Sequence, residues 1–399
     1  MATGEVAAPV DVRAKRSRIA GIDVARGIAL IGMAATHVVP TDNDDYSLTA
    51  VGWLFAGKAS ALFAVLAGVS LAIVTGGRNP FSGKDLRRSR VTIAVRAALV
   101  GLLGLLLAAT DTYVAVILAY YAVFFLLTLP FLGLRARTLA LLAVAWALLS
   151  PQLSYLLRTQ LLPDPPRDQV DLEMLLTQPF TALHGLLFTG YYPAFTWLTY
   201  LLAGLAIGRI DLRSTRVAGW LLGTGAVLAA AAWGVSAYLL GLVGASATLR
   251  TSTGSIELVG GELNRYEWYG VTTAGVPQWL LLAGPHSGTT FDLLHTTGTA
   301  MAVLGACLLL ARGIGVRLLR PLAAVGSMTL TLYTLHVLSL AGPIQWPAPG
   351  WYAAQVLLAL VAAPLWLMRF RRGPLEELVH DVSTSAGLKA VPREAAALE

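Results

Sequence analysis

Long apolar runs dominate the sequence and restrict the folds that are open to it. About ten stretches of roughly twenty mostly apolar residues follow one another, and each is long enough to cross a bilayer as an α-helix. Since 56% of the residues are hydrophobic and 13% are charged, an array of soluble domains is excluded. The sequence predicts an all-α polytopic membrane protein with these spans: 19–38, 51–76, 91–110, 113–133, 136–157, 191–210, 217–244, 289–311, 319–341 and 351–368.

Charge alternates along the connections between these runs. The arm 1–18 and the connections 78–90, 135–137, 209–216, 312–320 and 369–372 are rich in Arg or Lys. The intervening connections are acidic, mixed or uncharged: 41–49, Asp111, 161–179, 245–288 and 342–350. Because basic connections stay in the cytoplasm, both termini are predicted to be cytoplasmic and the number of spans to be even. A basic arm (1–18) and a cytoplasmic tail (371–399) then flank one transmembrane domain (19–370).

The segment 177–192 does not fit this regular pattern. Proline and glycine interrupt it at Pro179, Gly185 and Gly190. We expect a re-entrant or interfacial helix here, which would be an eleventh membrane segment if it re-enters. Irregular backbone at membrane depth is tolerated only where protein or a water-filled cavity covers it, so this segment is expected to border a cavity.

The first span carries three ionisable side chains. Asp23, Arg26 and His37 share one helix face, and the eleven residues from Arg26 to His37 cover about three turns, roughly 16 Å. Ionisable groups inside a membrane are expensive and point to function. The alternative for Asp23 and Arg26, three residues apart, is that they neutralise each other.

Five of the six histidines are predicted on the outer side, and only His380 lies in the inner tail. The five are His37, His184, His286, His295 and His336. Each alone is equally explained by a hydrogen bond to a neighbouring helix. No His-x-x-His or His-Glu-x-x-His spacing occurs, so no metal is expected.

Further polar residues interrupt the apolar runs. Asp292 shares a helix face with His295 and would orient a histidine ring, whereas Lys58 either faces a cavity or reaches the headgroups. Arg26 and Arg96 lie nearer the inner side, where guanidinium groups suit a phosphate or an anionic cofactor. Arg96 is also explained as a residue at the membrane boundary. The formal net charge of +7 is spread over short clusters, so no nucleic-acid partner is expected.

Several motifs resemble a known family. They are Ile22-Asp23-x-x-Arg26-Gly27-x-Ala29-Leu30, Phe55-Ala56-Gly57-Lys58, Gly190-Tyr191-Tyr192-Pro193, Gly204-x-x-x-Gly208-Arg209 and Gly326-x-Met328-x-Leu330-Thr331-x-Tyr333-x-x-His336. They resemble the YeiB-like bacterial membrane proteins, which in turn resemble the heparan-α-glucosaminide N-acetyltransferase family and the transmembrane acyltransferase group. The resemblance extends from Arg18 to about Arg369.

The resemblance implies acyl transfer across the membrane. Acyl-CoA, with acetyl-CoA favoured, would bind on the cytoplasmic side, a carbohydrate or glycolipid acceptor on the other, and a histidine would be the base or acyl relay. In the acyltransferase group an Arg precedes a His by about three turns, as Arg26 precedes His37. In the heparan enzymes the active histidine lies beyond that helix, where this chain has Asp42, Asp44 and Asp45. His336 is therefore the next choice for the base.

We therefore predict an acyltransferase of the cell membrane that modifies a cell-envelope carbohydrate or lipid. His37, His336, Asp292 and His295 are its predicted catalytic residues, and Arg26, Asp23 and Lys58 are its predicted cofactor-binding residues. The alternative is a transporter or lipid flippase without covalent chemistry, since buried charge also suits proton-coupled transport. Against it, no internal repeat is evident in the sequence. The oligomeric state does not follow from the sequence.

Overall fold

A computed structural model describes residues 18–44, 47–110, 112–160, 169–251, 254–273, 275–341 and 348–392. Several predicted features lie outside the described residues. These are the basic arm up to residue 17, Asp45, Asp111, residues 161–168 and 342–347 of two predicted outer connections, and the end of the tail from residue 393.

Helices make up most of the described chain. They are α1 (Ala20–Val38), α2 (Ala50–Phe55), α3 (Lys58–Val74), α4 (Gly83–Ala108), α5 (Leu118–Thr128), α6 (Ala136–Gln160), α7 (Leu172–Thr177), α8 (Pro179–His184), α9 (Ala194–Gly208), α10 (Thr215–Leu242), α11 (Thr290–Leu310), α12 (Gly315–Leu318), α13 (Arg320–Ser327), α14 (Thr329–Leu340), α15 (Ala348–Arg369) and α16 (Pro374–Ala390). A 3₁₀ turn (Leu129–Gly133) follows α5, and a π-helical turn (Gly185–Thr189) follows α8. This is a helical membrane protein, as predicted.

Seven helical segments of the described chain are long and apolar enough to cross a membrane, or eight if α13 and α14 form one span bent by 79°. The predicted spans 113–133 and 191–210 coincide with shorter apolar helices, Leu118–Gly133 and Ala194–Gly208. Hydropathy alone could not separate these from full-length spans. The total of ten spans and the cytoplasmic side of the termini remain predictions.

The bend between α13 and α14 is stabilised by a carboxylate from α16. It frees the first backbone N–H groups of α14, and the N–H groups of Leu330 and Thr331 donate to Glu376 Oε1 at 2.7 and 3.1 Å. Glu376 belongs to α16, which also packs along α4. A carboxylate at a helix N-terminus both accepts these bonds and complements the helix dipole. The described part of the predicted tail is thereby fastened to the helical bundle.

Small residues let two central helices touch. A Cβ on Gly204 of α9 would lie 2.0 Å from the Val65 carbonyl oxygen of α3, and a Cβ on Gly68 of α3 would lie 2.4 Å from the Leu201 carbonyl oxygen. Helices in membranes approach closely through such positions because backbone contact supplies the packing. Gly204 belongs to the motif Gly204-x-x-x-Gly208-Arg209, and this close contact explains its glycine.

The connections gather at two ends of the bundle. The arginines of the predicted cytoplasmic connections line neighbouring cavities or contact one another at one end, called the basic end: Arg78, Arg135, Arg137, Arg209, Arg213, Arg312 and Arg372. The opposite end, called the loop end, holds the described parts of the connections 41–49, 112–117, 169–179 and 245–288. The alternation of charge in the sequence predicts this separation.

The connection 245–288 is folded over the loop end. Strands β1 (Ser246–Thr251) and β2 (Gly254–Val259) form an antiparallel hairpin, and two 3₁₀ turns follow at Gly260–Arg265 and Pro277–Leu281. A small apolar core anchors this segment to the end of α10: Leu240, Ala245, Leu263, Trp279 and Leu282. The described part of this connection is therefore a folded cap.

Candidate functional site

A cavity of about 470 Å³ opens at the loop end. Its wall combines the end of α1, the turn between α2 and α3, the segment before α5 and the folded cap. Its polar side chains come from elements far apart in sequence and include His37, Gln169, Tyr191, Glu267, Tyr269 and His286. We call it the loop-end cavity. A polar hollow of this size within an apolar bundle is the place where a ligand is expected.

Two predicted catalytic histidines meet at this cavity. His37 Nδ1 lies 3.0 Å from His336 Nε2, and the two rings are nearly coplanar, with their centroids 5.3 Å apart and their planes at 16°. His37 lines the cavity, whereas His336 is buried behind it. His336 Nδ1 in turn lies 2.6 Å from Gln355 Oε1 on α15. Helices α1, α14 and α15 therefore build a continuous polar chain that ends at the cavity.

The other predicted polar residues lie apart from this pair. Asp292 accepts the Gly288 N–H at 3.0 Å and so closes the first turn of α11. His295 Nδ1 lies 2.9 Å from the Ala229 carbonyl oxygen of α10. Lys58 donates to the Trp53 carbonyl oxygen at 2.7 Å and bridges the break between α2 and α3. The hydrogen bonds of these three residues go to backbone groups of neighbouring segments, and their catalytic or binding roles remain predictions.

The cap adds a group that the sequence pattern did not single out. Tyr191 donates a hydrogen bond to Glu267 Oε1, and the His286 ring packs against Tyr191 at a tilt of 40°, with ring centroids 4.2 Å apart. His286 has a φ of 57°, which is strained for a residue with a side chain. Glu267 and His286 are 19 residues apart on an irregular loop, so no periodicity connects them. Only the outer-side placement of His286 pointed in this direction.

Burial sets the charge state of the cap residues. It lowers the pKa of His286 to about 3, so this ring is neutral at ordinary pH. Burial also raises the pKa of Glu267. Although His286 Nε2 and Glu267 Oε1 are 3.9 Å apart, a neutral imidazole does not form an ion pair with the carboxylate. The wall that the cap contributes to the cavity therefore carries a neutral imidazole beside the carboxyl group of Glu267 and the hydroxyl group of Tyr191.

This burial predicts acid sensitivity. The folded protein keeps His286 neutral down to pH 3, whereas the unfolded chain binds a proton near pH 6.5, so unfolding becomes easier as the pH falls between these values. We expect His286 to cost about 2 kcal/mol of stability between pH 7 and pH 5. The thermal unfolding midpoint of detergent-solubilised wild type should therefore fall over this range, and that of His286→Gln should fall less. An equal fall in both proteins would contradict the assignment.

The basic end holds a second cavity, of about 360 Å³, within the bundle. Apolar residues line it together with polar side chains, among them Glu376 and His380, and four arginines: Arg18, Arg26, Arg96 and Arg372. An open pocket of about 930 Å³ adjoins it and shares Arg18, Arg26 and Ser70. Four guanidinium groups around one hollow make an anion-binding environment.

Arg26 combines the two explanations that the sequence left open. Its Nη1 lies 3.0 Å from Asp23 Oδ1, so the pair does neutralise charge within α1. Its Nη2 donates to Ser70 Oγ on α3, and Arg26 lines both cavities of the basic end. Asp23 therefore holds the guanidinium group in place beside the cavity.

Met33 connects the two ends of the molecule. It lines the basic-end cavity and also the loop-end cavity. On α1 it lies seven residues after Arg26 and four residues before His37. The four residues between Met33 and His37 correspond to about 6 Å along the helix axis. The polar face of α1 thus runs from the arginines past Met33 to the histidine pair.

Comparison with known families divides the chain into two parts. Residues 18–240 match the family model described as heparan-alpha-glucosaminide N-acetyltransferase, catalytic. Residues 262–385 match the model described as protein of unknown function, DUF418. No curated protein matches the chain. His37 and Arg26 fall in the first match, whereas Glu267, His286, His336 and Gln355 fall in the second, so the loop-end cavity is built from both.

Proposed function

Because the chain belongs to the heparan-α-glucosaminide N-acetyltransferase family, we propose that it is an integral-membrane acyltransferase. The donor is acyl-CoA, with acetyl-CoA favoured, and it binds at the basic end. The acceptor is a cell-envelope carbohydrate or lipid, and it binds in the loop-end cavity. This arrangement places donor and acceptor on opposite sides of the cell membrane.

The position of Met33 carries this proposal. A donor whose phosphates lie among the arginines of the basic end has a cavity leading along α1 as far as Met33. The loop-end cavity begins at the same residue and contains His37. A thioester that reaches Met33 is therefore about one helical turn from an imidazole. The two cavities support a reaction in which only the acyl group crosses between the ends.

The chemistry needs one base and one anion site. His37 takes a proton from the hydroxyl or amine of the acceptor while that oxygen or nitrogen attacks the thioester carbonyl carbon. A new C–O or C–N bond forms, the C–S bond breaks, and the proton passes to the departing CoA thiolate. The Arg26, Arg96 and Arg372 guanidinium groups bind the phosphates of the donor. The low polarity around the cavities strengthens these contacts.

Binding and transfer are testable in the purified protein. Acetyl-CoA at a hundred times its dissociation constant should stabilise the fold by about 2.7 kcal/mol and raise the thermal midpoint. Arg372→Gln should weaken this effect, and dephospho-CoA should bind less tightly than CoA because it lacks one phosphate. No stabilisation by any CoA thioester at millimolar concentration would reject the proposal.

A labelled acetyl group can identify the class of the acceptor. Acetyl-CoA with a labelled acetyl group is incubated with the protein and with separated lipid and carbohydrate fractions of a bacterial envelope. We expect release of free CoA thiol together with label in one of the two fractions. Thiol release that matches a reaction without protein would also reject the proposal.

A transporter or flippase is the second possibility, because two cavities that approach one residue from opposite ends also suit alternating access. This function would move a substrate into sealed vesicles without releasing thiol from acetyl-CoA. The same preparation, reconstituted in vesicles, distinguishes the two functions.

A further inference from the structure

Gln355 is an unusual residue for its helix. It is the one amide or charged side chain between Tyr352 and Arg369 of α15, and Leu357, Leu358 and Val361 around it are 59–69% exposed. A polar side chain on such an apolar helix is costly unless it is hydrogen-bonded. Gln355 turns toward the bundle and contacts His336 and Ser339.

The contacts of Gln355 fix the direction of its amide. Ser339 Oγ donates its hydrogen to the His336 carbonyl oxygen at 2.6 Å. Toward Gln355, 3.3 Å away, Ser339 Oγ is therefore an acceptor and faces the amide nitrogen. The amide oxygen then faces His336 Nδ1 at 2.6 Å. Because this oxygen only accepts, His336 Nδ1 must carry a hydrogen.

The same logic continues to His37. A neutral imidazole carries one hydrogen, so a hydrogen on His336 Nδ1 leaves Nε2 as an acceptor. His336 Nε2 lies 3.0 Å from His37 Nδ1, which must then be the donor. His37 Nε2 is left with the lone pair. In the opposite tautomer, Nε2 would carry the hydrogen and could not take a proton.

We propose that Gln355 is a positioning residue that, through His336, holds His37 in the tautomer whose Nε2 accepts the proton of the acceptor. This inference rests on the proposed acyl transfer, and it gives His336 an orienting role instead of the role of base. It also accounts for an amide on an otherwise apolar helix. Without the amide oxygen, either histidine could be the donor in the hydrogen bond between His37 Nδ1 and His336 Nε2.

Nitrogen NMR of the detergent-solubilised protein labelled with [¹⁵N]histidine reads the tautomer directly. The His37 signals are identified by their loss in His37→Gln. In wild type we expect a hydrogen on His37 Nδ1 and a bare Nε2. Gln355→Leu should give a mixture of tautomers, and Ser339→Ala, which releases the amide, should give a smaller change in the same direction.

Transfer kinetics provide the second measurement. Gln355→Leu should lower kcat roughly five- to tenfold, the equivalent of one hydrogen bond, and leave the KM for acetyl-CoA unchanged. Leu358→Ala is the matched control, since it alters the same helix at an exposed position and should change neither the tautomer nor kcat.

Three results would overturn the inference. They are a hydrogen on His37 Nε2 in wild type, an unchanged His37 tautomer in Gln355→Leu, and a fall of kcat in Leu358→Ala as large as that in Gln355→Leu. A wild type with the expected tautomer but no thiol release from acetyl-CoA would overturn the acyl transfer and keep the assignment of the hydrogen-bond chain.

Discussion

Replacing His37 with glutamine should lower kcat for acyl transfer by a factor of about 10² to 10⁴, which is the usual contribution of a general base. Glutamine fills a similar volume and still offers a hydrogen-bonding group to His336, so the loop-end cavity should keep its shape. The affinity for acetyl-CoA should change little, because the arginines of the basic end lie about three helical turns away. Thiol release and thermal stabilisation by acetyl-CoA measure the two quantities separately.

The histidine at position 184 provides the matched control. His184 ends α8 at the loop end, and it is not among the described residues that line the loop-end cavity. His184→Gln should therefore keep the wild-type kcat. A His37→Gln protein with wild-type kcat would remove His37 from the mechanism, and a weaker affinity for acetyl-CoA with unchanged kcat would assign His37 to binding.

The polar stripe of the first span was accessible from the sequence because a helix has a fixed period. Eleven residues are close to three turns, so Arg26 and His37 had to share a face of any helix that formed. Topology then placed His37 and His336 on the same side. Their contact at 3.0 Å depends on the packing of α14 against α1, and only the structure supplies that.

Other parts of the site had no comparable pattern. Gln355 is a single polar residue in an apolar run, and its meaning depends on which side of α15 faces the bundle. Glu267 and His286 lie on an irregular loop, where neither helical nor strand periodicity applies. Asp292 and His295 show the opposite case: their spacing is regular, but each bonds to a different neighbour.

The span boundaries show the same division between local and tertiary information. Hydropathy located every apolar segment, since apolar length is a local property. The bend between α13 and α14 is stabilised by a tertiary contact, whereas the 3₁₀ turn after α5 contains Pro130 and α9 begins directly after Pro193. Glu376 lies 45 residues beyond Thr331 and accepts a hydrogen bond from the backbone that the bend exposes. Hydropathy does not predict this contact.

Arg209 is a structural residue whose role the sequence motif did not reveal. It lies at the end of α9 and is 4% exposed. Its Nη1 donates to the carbonyl oxygens of Ala72, Thr75 and Gly77 at 2.7, 3.2 and 2.9 Å. Its Nη2 donates to Thr75 Oγ1 at 2.9 Å and to the Leu132 carbonyl oxygen. One guanidinium group therefore joins the end of α3 to the 3₁₀ turn after α5.

Replacing Arg209 with methionine should destabilise the fold by more than about 3 kcal/mol. The last carbonyl groups of a helix lack partners within the helix and carry partial negative charge. A cation at this position donates hydrogen bonds to them and complements the helix dipole. Methionine keeps the packing volume but leaves the buried carbonyl oxygens of Gly77 and Leu132 without the donor that Arg209 provides, each at a cost of about 1–3 kcal/mol. The carbonyl oxygens of Ala72 and Thr75 keep a backbone donor, Gly77 N–H and Phe81 N–H, and lose only their second partner. Since a whole fold is stable by about 5–15 kcal/mol, we expect a low yield of monodisperse protein and a lower thermal midpoint.

Two variants make this result specific. Arg209→Lys keeps the charge but has one nitrogen instead of a planar fork, so its midpoint should lie between those of wild type and Arg209→Met. Arg137→Met removes an exposed arginine at the same end and should keep the wild-type midpoint. Equal midpoints for Arg209→Met and Arg137→Met would mean that water satisfies these carbonyl groups, and that the joint between α3, α5 and α9 is held by apolar packing alone.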